Sequence, residues 1–306
     1  MNFLTEKEII DRINELRKQK NAIIITHNYQ LGEVQDIADF TGDSLELSIK
    51  AADTKADLIV FCGVKFMAET AAILSPEKTV LLPVMESGCP MADMADAADL
   101  VKMKNEHPDA MVVTYVNSSA EVKALTDVCV TSANAVKIVS SLPAGREIIF
   151  VPDKNLGAFV QRKTGRKMIL WPGFCPTHMR ISSQSILQKK QEYPDAKVMI
   201  HPESRLEVLD LADEVLSTGG MCKFAKQTAA RKIIVATELG LIYRLRKENP
   251  DKVFIPVTEQ AVCPNMKMHR IENVLESLEK MKFKITVSEK IRVPAEKAIR
   301  RMLDMS

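Results

Sequence analysis

The sequence predicts an α/β fold: three pseudo-threefold-related α/β/α domains with short parallel sheets and an active site at their central junction. Three observations lead there. Cys-Pro pairs stand at Cys89-Pro90, Cys175-Pro176 and Cys263-Pro264, separated by 175 − 89 = 86 and 263 − 175 = 88 residues. His27, Tyr115 and His201 recur at 88 and 86, as do Asp39, Asp127 and Asp213, and also Ser44, Ser132 and Thr218. Within each interval, strand-like runs alternate with helix-like ones, the pattern of parallel sheets joined by right-handed crossovers.

The elements follow in order. Thr5-Glu-Lys-Glu8 is a capping-box pattern, and Ile9, Ile10, Ile13 and Leu16 continue it at helical spacing. A strand over Ala22–Thr26 comes next, then a loop, a helix, a strand at Leu58–Phe61, a helix over Lys65–Leu74 and an apolar run from Thr79 to Met85 before Cys89. The second and third copies each begin with a helix, about Asp93–Asn105 and Ser182–Gln191. Their later strands are Ile148–Val151 and Ile233–Ala236, with the runs Lys167–Trp171 and Lys252–Val257 leading to the second and third Cys-Pro pairs. Counted this way, each sheet has three strands. Beyond Cys263 come a helix at Ile271–Met281, a strand-like Phe283–Val287 and a last helix around Ala295–Leu303, with no fourth copy. The expected division is 1–91 with 270–306, then 92–178, then 179–269.

The composition, 46% apolar and 27% charged over 306 residues, is that of an ordinary globular protein with a sizeable core. A net charge of +2 gives no reason to expect nucleic acid or an anionic membrane as partner. The apolar runs fall well short of the roughly 20 residues that span a bilayer. The first 20 residues lack an apolar signal core, so a cytoplasmic location is expected. Six cysteines are too few for a disulfide scaffold in a chain of this length. Cys62 and Cys129 sit in apolar strand patterns and Cys222 has no cysteine partner nearby, so all three read as structural.

Ligands of open parallel sheets bind beyond the carboxyl ends of the strands. His27, Tyr115 and His201 follow the first strand of each copy, and Ser44, Ser132 and Thr218 the next loop. Ser132-Ala-Asn134 and Ser217-Thr-Gly-Gly220 open towards helices and offer hydroxyl and N–H groups to a carboxylate or phosphate. Proline after each cysteine blocks a preceding helix from continuing and leaves the thiol at a strand end. Three converging thiols make a metal site with an open position: zinc, or, favoured by an all-thiolate donor set, a 4Fe–4S cluster with one iron lacking a protein ligand.

These residues fall in motifs that resemble the quinolinate synthase family over nearly the whole chain. They include His27-Asn-Tyr29, Asp36-Ile-Ala-Asp39, Gly42-Asp-Ser44, Cys89-Pro-Met-Ala92, Tyr115-Val-Asn117 and Thr131-Ser-Ala-Asn134. Pro152-Asp-Lys-Asn-Leu-Gly157, Cys175-Pro-Thr-His178, His201-Pro-Glu203, Ser217-Thr-Gly-Gly-Met221 and Cys263-Pro-Asn-Met-Lys267 continue the series. The resemblance implies condensation of iminoaspartate with dihydroxyacetone phosphate to quinolinate, phosphate and water, in NAD biosynthesis. It implies a 4Fe–4S cluster on Cys89, Cys175 and Cys263. Substrate would be held by His27, Ser44, Tyr115, Asn117, Ser132, His201, Glu203 and Thr218. Glu203, His201, Tyr115 and Tyr29 would form the acid–base group, with Glu203 as general base and Tyr29 closing over the substrate. His178 is a candidate donor beside the cluster. An L-aspartate oxidase or dehydrogenase that supplies iminoaspartate is the transient partner to expect. Two departures stand out: the extra C-terminal cysteine motif of some bacterial members is missing, so no regulatory disulfide is expected there, and Tyr243 stands where some members carry histidine. Two other readings compete, an aconitase-like hydro-lyase and a non-enzymatic scaffold around structural zinc.

Overall fold

In the computed structural model, which describes residues 4–306, the threefold repeat becomes three four-stranded parallel sheets. The first contains β1 (Ala22–His27), β2 (Phe40–Gly42), β3 (Leu58–Cys62) and β4 (Thr79–Leu81), in the order β2-β1-β3-β4. The second repeats that order with β5 (Met111–Tyr115), β6 (Val128–Val130), β7 (Ile148–Val151) and β8 (Ile169–Leu170). The third does so with β9 (Lys197–Ile200), β10 (Glu214–Val215), β11 (Lys232–Ala236) and β12 (Val253–Pro256).

Pairing registers superpose under the sequence offsets. Ile25 pairs with Phe40, Val113 with Val128 and Met199 with Glu214, which are steps of 88 and 86 in both columns. The central strands are apolar on both faces because helices cover both sides; every residue of β3, β5 and β7 is buried.

The repeated aspartates have a structural role. Asp39, Asp127 and Asp213 each accept the backbone N–H of a first-strand residue, Ile24, Val112 and Val198, at 2.8, 2.7 and 2.8 Å. Each returns its own N–H to the carbonyl of that same residue. The carboxylate thereby satisfies a donor that the two- or three-residue neighbouring strand begins too late to reach.

Four sequence expectations need correction. Each sheet has four strands, not three: β2 and β10 are too short to carry a legible alternation, and β6 is the apolar run around Cys129, left out of the count of its sheet. Phe283–Val287 forms no strand: Lys284 makes one antiparallel bridge to Leu81, and Phe283 has φ of 61°. The last helix spans Glu289–Asp304, with Pro294 inside it, rather than starting near Ala295. The helix expected at Asp93–Asn105 is two, Pro90–Asp93 and Ala97–Glu106, the second capped by Asp96. By contrast, the capping box holds: Thr5 N–H donates to Glu8 Oε2 at 2.7 Å, and Glu8 N–H to Thr5 Oγ1 at 3.3 Å.

One apolar core runs through all three sheets. A second lies under the first sheet, where Ile9, Ile13 and Leu16 of the N-terminal helix meet Ile271, Val274 and Leu278 of helix Ile271–Lys280. The last helix packs on helix Ala120–Ala124, β6 and helix Lys65–Leu74, and so ties the first repeat to the second. Among the described residues no helix is long and apolar enough to cross a membrane.

Replacing Asp127 with Ala should lower the unfolding free energy by about 1–2 kcal/mol, the worth of a hydrogen bond to a charged acceptor at a partly exposed site. Asp127→Asn keeps an acceptor and should lose less. Urea denaturation checks both, and an unchanged midpoint for the Ala variant would remove the capping role.

Candidate active site

The carboxyl ends of the three sheets face one cavity. His27, Tyr29, Ser44, Cys89, Tyr115, Asn117, Ser132, Cys175, His201, Glu203, Thr218 and Cys263 all line it. Every site residue singled out from the sequence is therefore brought to one place. Cys62, Cys129 and Cys222 are buried elsewhere, the first two in strands and the third in helix Thr218–Gln227.

Proline's part in the cysteine motif differs from expectation. Pro90 is the first residue of a helical turn that Cys89 caps, and Pro264 directly precedes the turn Asn265–Lys267. A fixed φ suits proline to the start of a helical turn. The turn also points backbone N–H groups at each sulfur: those of Met91 and Ala92 at Cys89, of His178 at Cys175, and of Asn265 and Met266 at Cys263. Burial pushes the Cys89 thiol up to about 12 and raises the other two as well.

Glu203 is the polar centre of the cavity. Its Oε1 accepts the Tyr115 hydroxyl at 2.7 Å and Asn117 Nδ2 at 3.4 Å. Its Oε2 lies 2.7 Å from His178 Nδ1. Burial alone would raise this carboxyl, but His178 and the hydrogen bonds from His178 and the Tyr115 hydroxyl outweigh it and hold Glu203 below the usual carboxylate range. Glu203 is thus ionised at neutral pH, inside a cavity that no lysine or arginine lines among the described residues.

Two histidines occupy equivalent slots. Tyr29 N–H donates to His27 Nδ1 at 3.2 Å, and Glu203 N–H to His201 Nδ1 at 3.4 Å. With Nδ1 accepting, the ring proton of each is assigned to Nε2. Burial holds His27 down to about 4 and His201 to about 3, so both are neutral donors. The 3.9 Å approach of His201 Nδ1 to Glu203 is therefore not a charge pair. Tyr29 and Tyr115 are pushed well above 10, by burial first and then by the Glu203 charge, and remain protonated.

Hydroxyl groups sit at helix starts around the rim. Ser44 and Thr218 are the first residues of helices Ser44–Asp53 and Thr218–Gln227. Asp43 joins the two: Oδ1 accepts Leu45 and Glu46 N–H, while Oδ2 accepts Ser217 Oγ at 2.9 Å and Gly219 N–H at 3.3 Å. Glycine is required at 219, since a Cβ there would lie 2.6 Å from Asp43 Oδ2. Thr218 Oγ1 is fixed by Asn28 Nδ2 at 2.9 Å.

Several lining residues were not picked out from sequence: Asp43, Glu238, Thr177, Phe66, Met67 and Met266. The repeat could have found Glu238. It stands 238 − 64 = 174 residues after Val64, which is 88 + 86, and Val64 lines the cavity too. Tyr243 lies outside the site, with its hydroxyl 2.5 Å from Asp36 and its ring over Gly32. On the surface of the second repeat, Arg166 donates to the carbonyls of Leu142, Pro143 and Arg146, and Arg162 pairs with Asp210.

Three imidazoles are buried neutral, since His269, bonded to Gly63 O at 2.7 Å, is also held down to about 4. In the unfolded chain they titrate near 6.5. Their contribution is complete above about pH 6.5 and is lost as pH falls towards 4, at up to about 1.4 kcal/mol per pH unit for each proton taken up. The thermal midpoint should therefore fall between pH 6.5 and pH 5. A flat profile over that window would mean that these rings are charged in the folded protein.

Comparison with known proteins bears on this geometry. The model of the quinolinate synthetase A protein family matches residues 11–304. The quinolinate synthase of Dehalococcoides mccartyi (strain CBDB1) is 59% identical over 298 residues, 97% of this chain and 98% of that protein. That of Geotalea uraniireducens is 54% identical over 298 residues with the same coverage. Quinolinate synthase 1 of Methanosarcina acetivorans is 53% identical over 300 residues, 98% of each chain. A solved reductase from Plasmodium falciparum aligns over 90% of this chain and 94% of its own at 13% identity and a TM-score of 0.34, too slight a likeness to bear on function. With a family match over nearly the whole length and relatives above half identity, the chain belongs to the quinolinate synthetase A family of enzymes.

Proposed function

We propose that this member of the family joins iminoaspartate to dihydroxyacetone phosphate to form quinolinate, releasing phosphate and water, with a 4Fe–4S cluster on Cys89, Cys175 and Cys263. The observation that carries this reading is the convergence of three buried thiols and one ionised carboxylate on a single cavity.

The donor set fits a cluster better than a single zinc ion. Tetrahedral zinc at about 2.3 Å would draw its sulfurs within about 4 Å of one another. Among the described residues the group whose donor atoms all lie within 4.8 Å is Cys175, His178 and Glu203, so the three thiols form a wider ring. Backbone N–H groups at every sulfur suit thiolates bound to iron, whose potential such bonds tune. Thiols raised by burial also need a cation before they ionise. When bound, the cluster supplies a Lewis acid at the iron that has no protein ligand.

The remaining residues bind anions and move protons. Two carboxylates and a phosphate would be held by hydroxyl, imidazole and helix N-terminal N–H donors at Ser44, Ser132, Thr218 and His27. Asn117 Oδ1 is buried without a partner and is left for substrate. Glu203 takes a proton from carbon, held in place by the Tyr115 hydroxyl that donates to it; Tyr29 and His201, which keep a proton on Oη and Nε2, donate to carbonyl and departing oxygens. An L-aspartate oxidase or dehydrogenase in the same cytoplasmic compartment would supply iminoaspartate. Family membership stands against an aconitase-like hydro-lyase.

Anaerobic turnover with iminoaspartate and dihydroxyacetone phosphate is the direct test, and absence of quinolinate would reject the reading. Serine at Cys89, Cys175 or Cys263 should each abolish iron loading and activity, whereas Cys62→Ser should leave both. A Cys175→Ser protein with full iron content would overturn the ligand set. Glu203→Gln should retain iron and substrate affinity yet lose at least about two orders of magnitude in kcat, the scale of a general base. A larger effect on KM than on kcat would make Glu203 a binding group instead.

A further inference from the structure

Thr237 directly follows β11 and is 1% exposed. Its Oγ1 lies 2.6 Å from Tyr29 Oη and 2.9 Å from His178 Nε2. Tyr29 follows the first strand of the first repeat, and His178 sits in a 3₁₀ turn just after Cys175 in the second. One hydroxyl of the third repeat therefore ties together the polar side chains of the other two.

The symmetry of the chain makes this hydroxyl stand out. The repeat-equivalent positions are 237 − 86 = 151, which is Val151, and 237 − 174 = 63, which is Gly63. Neither carries a hydrogen-bonding side chain. Through His178 Nδ1, 2.7 Å from Glu203 Oε2, and Glu203 Oε1, 2.7 Å from Tyr115 Oη, the contact extends into an unbroken series: Tyr29, Thr237, His178, Glu203, Tyr115. A hydroxyl has one proton and two lone pairs, so it can serve both rings at once, and no other side-chain hydrogen bond of Tyr29 Oη or His178 Nε2 is present among the described residues. His178 stacks on His201 with ring centroids 4.7 Å apart, so a rotation of His178 would also disturb His201.

We propose that Thr237 is a positioning residue of this active site: its hydroxyl holds Tyr29 and His178 in one register, so that Tyr29 and Glu203 address the same substrate. The proposal rests on the function assigned above, and the test separates the two. Thr237→Val keeps the shape and removes the hydroxyl; Thr237→Ser keeps the hydroxyl and removes a methyl. The Val variant should lose about tenfold to a hundredfold in kcat, the cost of a displacement near 1 Å, with KM within about threefold and iron content unchanged. Serine should recover the rate to within about threefold of wild type. In the Tyr29→Phe background, where one of the two bonds is already gone, Thr237→Val should cost less than it does alone. A Val variant with normal kcat, a Ser variant as slow as Val, or full additivity with Tyr29→Phe would each overturn the proposal. Crystal structures of the wild type and the Val variant give an arm independent of turnover: Tyr29 or His178 should rotate, and unmoved rings would overturn it as well. Failure of the wild type to form quinolinate would reject the parent reading and leave this structural arm to decide on Thr237.

Discussion

A parallel sheet presents the carboxyl ends of its strands on one side only, and three such sheets facing inward leave one place where those ends meet. Everything else about the site depends on that constraint. Strand order, register and crossovers are the same in each repeat, so equivalent side chains arrive at equivalent points around the cavity. Short sheets are needed for this: strands of two to six residues bring loops from all three copies within reach of one small ligand. The three aspartates that cap first-strand donors keep these narrow sheets intact where the neighbouring strand is shortest.

The electrostatics of the cavity follow from its depth. Burial neutralises whatever can be neutral: His27 and His201 lose their proton, the tyrosines and thiols keep theirs. Only Glu203 resists among the proposed acid–base groups, because Tyr115, Asn117 and His178 address its two oxygens. A cavity lined by an ionised carboxylate and, among the described residues, no lysine or arginine is a poor host for phosphate and carboxylates taken alone. The compensation lies in fixed dipoles. Two ten-residue helices begin at the rim, and their N–H groups cost no reorganisation when an anion arrives.

Much of this was legible in the sequence because a duplicated unit carries its register in plain offsets. His27, Tyr115 and His201 identified the carboxyl ends of β1, β5 and β9 without any knowledge of the sheets. The unread parts have physical causes. Strands of two or three residues, such as Glu214–Val215, give no periodicity to detect. Pro294 stands directly before the expected helix start at Ala295, yet the helix runs through it from Glu289. Phe283–Val287 has the composition of a strand, but Phe283 at φ of 61° and a lone bridge at Lys284 keep it from pairing further. Thr237 was invisible for the opposite reason: it departs from the repeat, and an offset finds only what recurs.

That departure points to how a threefold scaffold comes to serve a reaction without threefold symmetry. One slot, two residues beyond the first strand's last polar residue, holds Tyr29, Asn117 and Glu203 in the three copies. The backbone of that slot is shared, as the matching Tyr29 and Glu203 N–H bonds to His27 and His201 Nδ1 attest. Its side chains are not: a phenol, an amide and a carboxylate face the same cavity from three directions. The cysteine slot has stayed identical in all three copies. The metal centre proposed for the cysteines would ask for three equal ligands, whereas a substrate with distinct ends would ask for three different neighbours. The shared backbone supplies the geometry for both demands, and different side chains at a few strand-end positions place a carboxylate beside two phenols and an amide.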